Sequence, residues 1–404
     1  MKRYRHDFPL LKREYKGQEL IYFDNAATTP KPQVVLDAVG DYYLFHNANI
    51  NRGPNFLSEE ATLLYESARA DVAAFIGARS EEIVFTSGST ASINIIARSL
   101  GDWKLKAGDK VILSRAEHHS NLIPWMQLKE SLGIQIGYIG LDGEGSFLQS
   151  DIEGMLTDPT VKVLSLTQAS NVIGRYYDLK PILAAARKRE IITVVDSSQS
   201  IPHRQVDVID LGCDFLVFSG HKMFAPAGTG VLYARREILR DMPPVFGGGG
   251  MVSEVNFDGY KAAEGPAKLE AGTPNIEGAI GLGAACNYIA GRRAEMFAQE
   301  ESLIGHFIHK LQENGNGWRL VGGLQGRLPL FSFDLGPDLH PHDAADLLGE
   351  RGIIVRAGRH CAHPLHDILG LAGSLRASLA FYNNEEEVDE FFVALAEIRR
   401  SLTA

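Results

Sequence analysis

Phe218-Ser219-Gly220-His221-Lys222 is the stretch on which the interpretation of the whole chain depends. The apolar run 215–218 predicts a buried strand, and a loop rich in glycine and proline follows over residues 223–230. A lysine at the end of a core strand is costly to desolvate unless it has a partner or a chemical task. One such task is a Schiff base with an aldehyde cofactor, and the alternative is a loop lysine that points into water. Lys222 by itself favours the loop lysine.

The bulk composition is typical of a soluble globular protein that is long enough for two domains. The chain has 404 residues, of which 45% are hydrophobic and 22% are charged. Its 40 basic and 50 acidic residues give a net charge of -10, which argues against nucleic acid or an anionic membrane as the main partner. Three cysteines do not make a disulfide framework, so we expect a reducing, cytoplasmic compartment.

Short apolar runs alternate with helical patterns after Glu82, and this alternation predicts an α/β fold with a mostly parallel sheet between helices. The predicted strands lie at 83–85, 111–113, 161–166, 191–195, 215–218 and 231–233, and an earlier one at 20–23. Helices are predicted at 32–45, from a Ser58 cap to 75, at 91–100 and at 278–292, with a hairpin or long loop after the glycines 247–250. We expect a large domain over 21–292 and a smaller α+β domain formed by 1–20 and 293–404.

Polar clusters follow several of these strands, where ligands bind in such sheets. Gly88-Ser89-Thr90 joins a strand to a helix and is either a phosphate cradle or an ordinary helix cap. Asp196 ends another strand and is either the partner of a pyridine nitrogen, a helix cap or a metal ligand. His118 follows a third strand and either stacks on a planar cofactor or is simply solvated.

The C-terminal segment 355–366 contains Cys361 beside Arg356, Arg359 and His360. Positive neighbours favour a thiolate, so Cys361 is a candidate nucleophile. A metal site is the less favoured alternative, because no second ligand pair elsewhere completes a familiar spacing. Arg376 is a candidate clamp for a substrate carboxylate, and its alternative is a surface ion pair.

Six motifs in this order resemble the group II cysteine desulfurases of the SufS/CsdA type, within the class V aminotransferases. They are EHHSNLIPW (117–125), VVDSSQS (194–200), FSGHKMFAP (218–226), LEAGTPN (269–275), VRAGRHCAHPL (355–365) and LRASLAFYN (375–383). The resemblance implies the fold type I of pyridoxal phosphate (PLP) enzymes, with a seven-stranded sheet. It also implies that Lys222 binds PLP covalently, Asp196 pairs with the pyridine nitrogen, His118 stacks on the ring and Gln199 bonds the phenolic oxygen.

The same resemblance implies that Ser89, Thr90, Ser219 and His221 hold the phosphate. It implies that Thr273 reaches the phosphate of the other subunit, and hence that the protein is a homodimer.

For the substrate, L-cysteine, the resemblance implies that Arg376 binds the carboxylate and that Asn171 lies near the cofactor ring and this carboxylate. Cys361 would accept the sulfur as a persulfide, with L-alanine as the other product. Arg356, on the same loop, would help to order the substrate and the persulfide. The sulfur would pass to a SufE/CsdE/SufU-type acceptor protein for iron–sulfur cluster assembly, and L-selenocysteine would be a further substrate. The compact loop around Cys361 suggests that turnover depends on such an acceptor.

Two positions depart from the family pattern. Asn51 stands where the family often has a histidine, and Ala91 stands where it often has a glutamate. A lyase, a kynureninase-like hydrolase or an epimerase on the same fold would not need Cys361, and a non-catalytic scaffold would not need Lys222 or Asp196.

Overall fold

The computed structural model describes residues 4–51, 53–314 and 318–403. The strands of the first half are β1 (Glu14–Tyr15), β2 (Gln18–Glu19), β3 (Ile21–Tyr22), β4 (Ile83–Thr86), β5 (Lys110–Ser114), β6 (Gln135–Ile139), β7 (Val161–Thr167) and β8 (Ile192–Asp196). Those that follow are β9 (Phe215–Ser219), β10 (Gly230–Ala234), β11 (Val252–Asn256), β12 (Gly259–Ala262), β13 (Arg319–Leu320), β14 (Leu330–Asp334), β15 (Ile353–Ile354), β16 (Arg356–Gly358) and β17 (Ser374–Ser378).

The helices lie between these strands and on both sides of the large sheet. They are α1 (Gln33–Asp41), α2 (Phe56–Phe75), α3 (Ser89–Trp103), α4 (Ile123–Leu132), α5 (Gln149–Thr157), α6 (Lys180–Arg187) and α7 (Val208–Leu211), then α8 (Arg236–Asp241), α9 (Ile276–Ala290), α10 (Arg293–Asn314), α11 (Pro341–Gly349), α12 (His363–Ile368) and α13 (Glu385–Thr403).

The predicted seven-stranded, mostly parallel sheet is confirmed, in the order β4-β10-β9-β8-β7-β5-β6. Strand β10 is the exception in direction, since it pairs antiparallel with both β4 and β9. The residues of β9 and β10 are all buried, as are most residues of β4, β5, β7 and β8. Helices therefore cover both faces, and the β-branched and aromatic side chains of these strands are accommodated there.

Two strand predictions need correction. Gln135–Ile139 forms edge strand β6, which the sequence analysis left out, because its apolar pattern is short and contains Gly137. A Cβ at Gly137 would lie 2.7 Å from Ile112 Cδ1, so a larger residue there would require the end of the Ile112 side chain to shift. The predicted strand at 20–23 exists, but Ile21–Tyr22 pairs in parallel with Ile353–Ile354 in a separate two-stranded sheet.

The predicted Ser58 cap is wrong by three residues. Helix α2 begins at Phe56, and the side chain of Asn55 accepts the N–H of Ser58. The hydroxyl of Ser58 instead donates to the carbonyl of Asn49 at 2.8 Å. The helix predicted over 32–45 ends in a π-helical turn at Tyr42–His46. Arg52, in the loop that follows, lies outside the described residues.

A second, smaller sheet lies in the C-terminal part, in the order β13-β14-β17-β16 with antiparallel pairs. Helices α10, α11 and α13 pack beside it around a core that includes Phe307, Phe331 and Phe391. Ile21 and Phe23 belong to this core, whereas Tyr4, Phe8 and Leu11 belong to the large one. The domain limits at residues 21 and 292 stay a prediction.

Candidate active site

Lys222 lies directly after the central strand β9, in a single 3₁₀ turn over Gly220–Lys222. The residue as a whole is half-buried, and within the described chain its amine makes no hydrogen bond or ion pair. Burial lowers the pKa of Lys222, and the charges of Asp196, Arg376 and Cys361 also act on it. These residues come from four different elements, so the fold brings them into one electrostatic environment around the lysine.

Asp196 is the last residue of β8, the neighbour of β9, and only 4% of it is exposed. One carboxylate oxygen accepts the N–H of Ser198 at 2.9 Å. Close by in sequence, the amide of Gln199 donates to the carbonyl of Ala26 at 2.9 Å, which fixes the orientation of that side chain. The Ser198 hydroxyl is buried without a hydrogen-bond partner in the described structure.

His118 follows β5, and the charges of Lys222 and Arg376 act on its ring. Its Nδ1 accepts the N–H of Ser120 at 3.1 Å, so the proton of the neutral ring resides on Nε2. Burial, with the charge of Lys222, lowers the pKa of His118 to about 3. The imidazole is therefore neutral at physiological pH and presents an N–H donor.

The sequence analysis missed the role of Glu117, the residue before His118. It is 1% exposed, and its carboxylate accepts the backbone N–H of Thr167 at 2.9 Å and the amide of Asn121 at 2.7 Å. Burial raises the pKa of Glu117 to about 7, and the charge of Asp196 adds to the shift. Glu117 thus joins β5 to β7 beneath the candidate site. Its position at a strand end was the available signal.

The start of helix α3 forms an anion cradle. Gly88 at the cap position has φ 145°, and no side chain caps the helix. The Ser89 N–H donates to Ser219 Oγ at 2.9 Å, and the two serine hydroxyls lie 2.9 Å apart. Gly230 permits this approach, because a Cβ there would lie 2.5 Å from Gly88 Cα. Unpaired N–H groups at a helix start and nearby hydroxyls suit a phosphate. Thr90, in the first turn, is exposed.

His221 lies beside the lysine turn, and its carbonyl is surrounded by donors that the sequence analysis did not consider. The hydroxyls of Thr28 and Thr29 donate to it at 3.1 Å each, and Lys31 Nζ donates at 3.2 Å. Burial lowers the pKa of His221 to about 4 and that of Lys31 to about 8. The loop 24–31 is therefore fastened to the turn that carries Lys222.

Arg376 and Arg356 are directly opposite one another on the antiparallel strands β17 and β16. Like charges at such positions repel. Asp24, which the sequence analysis overlooked, accepts from Arg376 Nη2 at 3.2 Å and from Arg356 Nη2 at 3.1 Å. Burial lowers the pKa of Arg376 to about 10, and its Nε has no hydrogen-bond partner in the described structure. A carboxylate thus already occupies part of the guanidinium fork.

Asn171 connects this arginine to the cysteine loop. Its backbone carbonyl accepts from Arg376 Nη1 at 3.0 Å, and its side-chain amide donates to the carbonyl of His360 at 2.7 Å. The next residue, Cys361, is exposed, while Cys213 and Cys286 are buried. Burial raises the pKa of both buried thiols, which makes them poor nucleophiles at neutral pH.

Thr273 stands apart from the other predicted site residues. It is exposed on the loop before α9, and no hydrogen bond of the described chain joins it to them. The described residues also contain no group of three or more His, Cys, Asp or Glu side chains arranged to hold a metal ion. None of the helices in the described ranges has the length and hydrophobicity of a membrane-spanning segment.

The donor set fits pyridoxal phosphate. The uncapped start of α3, with Ser89 and Ser219, suits the phosphate, and a lysine of lowered pKa suits the aldehyde. A buried carboxylate at the end of β8 suits a protonated pyridine nitrogen.

Comparison with known proteins agrees with this geometry. The family model for aminotransferase class V matches residues 21–391. A probable cysteine desulfurase of Xylella fastidiosa is 45% identical over 401 residues, which cover 99% of this chain and 96% of the relative. A cysteine desulfurase from Thermococcus onnurineus superimposes with a TM-score of 0.93 at 40% identity, covering 99% and 98% of the two chains.

The cysteine desulfurase CsdA of Escherichia coli, solved with an S-sulfonic acid, superimposes with a TM-score of 0.89 at 36% identity, again covering 99% and 98%. These matches span nearly the whole chain. The chain therefore belongs to the aminotransferase class-V family, among its pyridoxal phosphate-dependent cysteine desulfurases.

Proposed function

We propose that this protein removes sulfur from L-cysteine, releasing L-alanine and leaving a persulfide on Cys361. The observation that carries the proposal is the shared environment of Lys222, Arg376 and the exposed Cys361 thiol. Together they supply a base, a carboxylate clamp and a sulfur acceptor. The names of the relatives point to the same reaction.

The substrate carboxylate binds to Arg376 in this proposal. The guanidinium is 2% exposed, and a planar fork in a buried site binds a carboxylate strongly. Asp24 holds the same Nη2 before substrate arrives, so binding exchanges one carboxylate for another. Arg356 also pairs with Asp24, and this ion pair remains when Arg376 binds the substrate carboxylate.

Lys222 moves the proton at the substrate Cα. Its lowered pKa increases the neutral fraction of the amine, which is the form that accepts a proton. The neutral His118 ring, with its proton on Nε2, offers a second donor near the same centre. Lysine as base and histidine as donor therefore occupy distinct roles.

Pyridoxal phosphate, when bound, supplies the electron sink that stabilises negative charge at the substrate Cα. Asp196 would hold its pyridine nitrogen, Gln199 its phenolic oxygen, and His118 the face of its ring. Ser89, Thr90, Ser219 and His221 would hold its phosphate.

Cys361 takes the sulfur. Its thiolate attacks the substrate sulfur, a new S–S bond forms, and the Cβ–S bond breaks with its electron pair left on carbon. The carbon fragment gains protons and leaves as L-alanine, so L-cysteine and one thiol become L-alanine and one persulfide. Arg356 and Asn171, which flank the loop, would keep the thiol and the substrate aligned.

The persulfide sulfur then passes to a SufE/CsdE/SufU-type acceptor protein for iron–sulfur cluster assembly. The exposure of Cys361 supports delivery to another protein, and the loop of four residues between β16 and α12 supports a short reach. L-selenocysteine stays a predicted substrate. The cytoplasmic location also stays a prediction.

A homodimer completes the site in this proposal. Large apolar side chains are exposed along α1, the π-helical turn and the start of α2, including Leu44 (73%), Phe45 (65%) and Leu63 (70%). Exposed apolar patches of this kind mark interaction surfaces. Thr273 is exposed, and no hydrogen bond of the described chain joins it to the other site residues, so in this proposal it serves the partner's phosphate.

Alanine release from L-cysteine tests the proposed reaction. We expect the wild-type holoenzyme to form alanine, and Cys361→Ala to form it roughly a hundredfold more slowly or worse while it retains the cofactor absorbance. Cys286→Ala, which changes a buried thiol, serves as the matched control and should keep activity. Pyruvate and sulfide from both wild type and Cys361→Ala would instead identify a lyase and remove the role of Cys361.

A further inference from the structure

The loop that carries Cys361 has an unusual backbone. His360 has φ 49° and Cys361 has φ 54°, so two consecutive residues with side chains adopt the left-handed conformation that favours glycine. Such a conformation persists only when surrounding contacts hold it. The contacts around this turn therefore decide where the thiol points.

Two carbonyls of the turn are held from outside the loop. Asn171 Nδ2 donates to the His360 carbonyl at 2.7 Å, and the His119 N–H donates to the Cys361 carbonyl at 2.9 Å. The first of these contacts comes from a predicted substrate-binding residue. The second comes from a histidine to which no role has been assigned.

His119 also holds the loop with its side chain. Its Nε2 accepts the backbone N–H of His363 at 3.1 Å, and the two imidazole rings meet edge to face with centroids 4.6 Å apart. His363 is the first residue of α12. One residue therefore fastens the chain on both sides of Cys361, at the carbonyl of Cys361 itself and at the amide two residues later.

The charge state of His119 is consistent with this role. A nitrogen that accepts an N–H carries no proton, so the ring is neutral with its proton on Nδ1. Burial lowers the pKa of His119, and the nearby charges of His363 and Arg359 lower it further. The acceptor is thus available at neutral pH.

We propose that His119 is a positioning residue for the sulfur-accepting thiol: its Nε2 anchors the start of α12 and so keeps the left-handed turn at His360–Cys361 in place. Cys361 then lies close enough for its charge to act on Lys222 and Arg376. His118 and His119 divide the work, since the former faces Lys222 and the latter faces the loop. The inference rests on Cys361 being the sulfur acceptor.

The variants His119→Gln and His119→Asn test the proposal as a matched pair. Both are amides, but the longer glutamine places its carbonyl oxygen near the position of Nε2, whereas asparagine ends near that of Nδ1. Glutamine should therefore keep the acceptor for the His363 N–H, and asparagine should lose it. His309→Gln, in an exposed part of α10, controls for the loss of a histidine elsewhere.

The first readout is hydrogen exchange of the His363 amide in the holoenzyme, measured by mass spectrometry. We expect exchange roughly tenfold faster in His119→Asn, and within about threefold of wild type in His119→Gln. The second readout is the gain of one sulfur on Cys361 in a single turnover with L-cysteine. It should slow roughly five- to twentyfold in His119→Asn and little in His119→Gln, with the cofactor absorbance unchanged in both.

Equal behaviour of the two variants would overturn the proposal, whether both match wild type or both are equally slow. A separate arm tests the foundation. If Cys361→Ala still forms alanine at the wild-type rate, the proposed function fails, and the exchange measurement then still reports whether His119 holds the loop.

Discussion

Asp24 compensates charge at the centre of the site, although it does not belong to any of the motifs that point to the chemistry. It lies between Arg376 and Arg356, whose guanidinium groups come from facing positions of an antiparallel pair. The Arg376 side chain is 2% exposed and that of Arg356 is 48% exposed, so it is mainly the buried charge of Arg376 that needs a counter-charge. The protein therefore places a carboxylate of its own where we propose that the substrate carboxylate binds.

Replacing the Asp24 carboxylate should lower the stability of the protein and increase the stabilisation that an added carboxylate provides. We expect Asp24→Asn to lower the free energy of unfolding by about 2 kcal/mol, since an amide oxygen still accepts one hydrogen bond but brings no charge. Propionate, which has no amine to engage Lys222, should then raise the melting temperature of the variant more than that of wild type. Thermal unfolding of the holoenzyme with and without propionate measures both effects.

Asp210→Asn is the control for this experiment, because Asp210 pairs with Lys180 in an exposed ion pair worth at most about 1 kcal/mol. An unchanged melting temperature in Asp24→Asn, with the same propionate response as wild type, would mean that Asp24 does not compensate the two arginines.

The sequence predicts the position of some site residues but not of others. Asp196 ends a strand, and Lys222 and His118 each follow one, so a parallel sheet brings them to one edge and their meeting is predictable. Asp24 and Lys31 follow a strand that is not in the large sheet, and only tertiary structure places them there. Glu117 stands in a quoted motif, but its burial depends on β7, which lies fifty residues further on.

At the junction between β10 and the start of α3, the backbone of a strand and not a side chain determines the geometry of the site. Strand β10 runs against its neighbours and enters between β4 and β9. Its first residue, Gly230, lies against Gly88 at the helix start, with no room for a side chain. The anion cradle therefore depends on the absence of two Cβ atoms.

A methyl group at this junction should push the start of α3 away from β10 and so disrupt the anion cradle. A Cβ on Gly230 would lie 2.5 Å from Gly88 Cα and 2.7 Å from the Phe218 carbonyl, both of which are backbone atoms that cannot rotate away. We expect Gly230→Ala to lose about 1–3 kcal/mol of unfolding free energy and to retain less cofactor after dialysis. Urea unfolding and the cofactor absorbance measure the two losses.

Gly305→Ala provides the comparison within a helix. A Cβ there meets open space, so alanine should stabilise α10 by up to about 1 kcal/mol. If Gly230→Ala kept both stability and cofactor, the close approach would not be needed for the cradle.

The elements that the sequence predicted well are the ones with strong local signals. Strands β7, β8 and β9 are long apolar runs rich in β-branched or aromatic residues, and each is found within about one residue of its predicted limits. Strand β6 is short and half-exposed, with Gly137 at its centre, so no local pattern marks it. The antiparallel direction of β10 depends on where the loop 223–229 returns, which periodicity does not encode.

The described residues form four clusters of buried hydrophobic side chains, and the site lies where segments of the large sheet and of the C-terminal part meet. Hydrogen bonds from His119 and Asn171 to the loop at 360–361 join the large sheet to the C-terminal part. The sequence analysis expected two units, but it could not find that residues 4–11 pack in one core while 21 and 23 pack in the other. Such exchanges between cores follow from packing and not from local pattern.

Dimerisation should be sensitive to the exposed apolar surface of the π-helical turn. We expect wild type to have about twice the 44.2 kDa mass of one chain, and the double variant Leu44→Glu, Phe45→Glu to be monomeric, because charges are strongly disfavoured in a buried interface. Loss of the partner's Thr273 should also weaken cofactor retention. Light scattering after size exclusion, with the cofactor absorbance recorded, checks both expectations.

Ile209→Glu changes an equally exposed apolar residue on α7 and should leave the mass unchanged. A wild-type monomer with a full complement of cofactor would remove both the dimer and the role of Thr273 from the proposal.

The positions of the three thiols determine how the protein responds to oxidants. Cys361 is open to solvent, so peroxide reaches the same atom that receives sulfur and can carry it from sulfenic to sulfinic and sulfonic acid. Only the first of these states is reversed by an ordinary thiol. Cys213 and Cys286 are locked in the core, so neither can form the rescuing disulfide. Repair of the oxidised residue must therefore come from a thiol on another molecule.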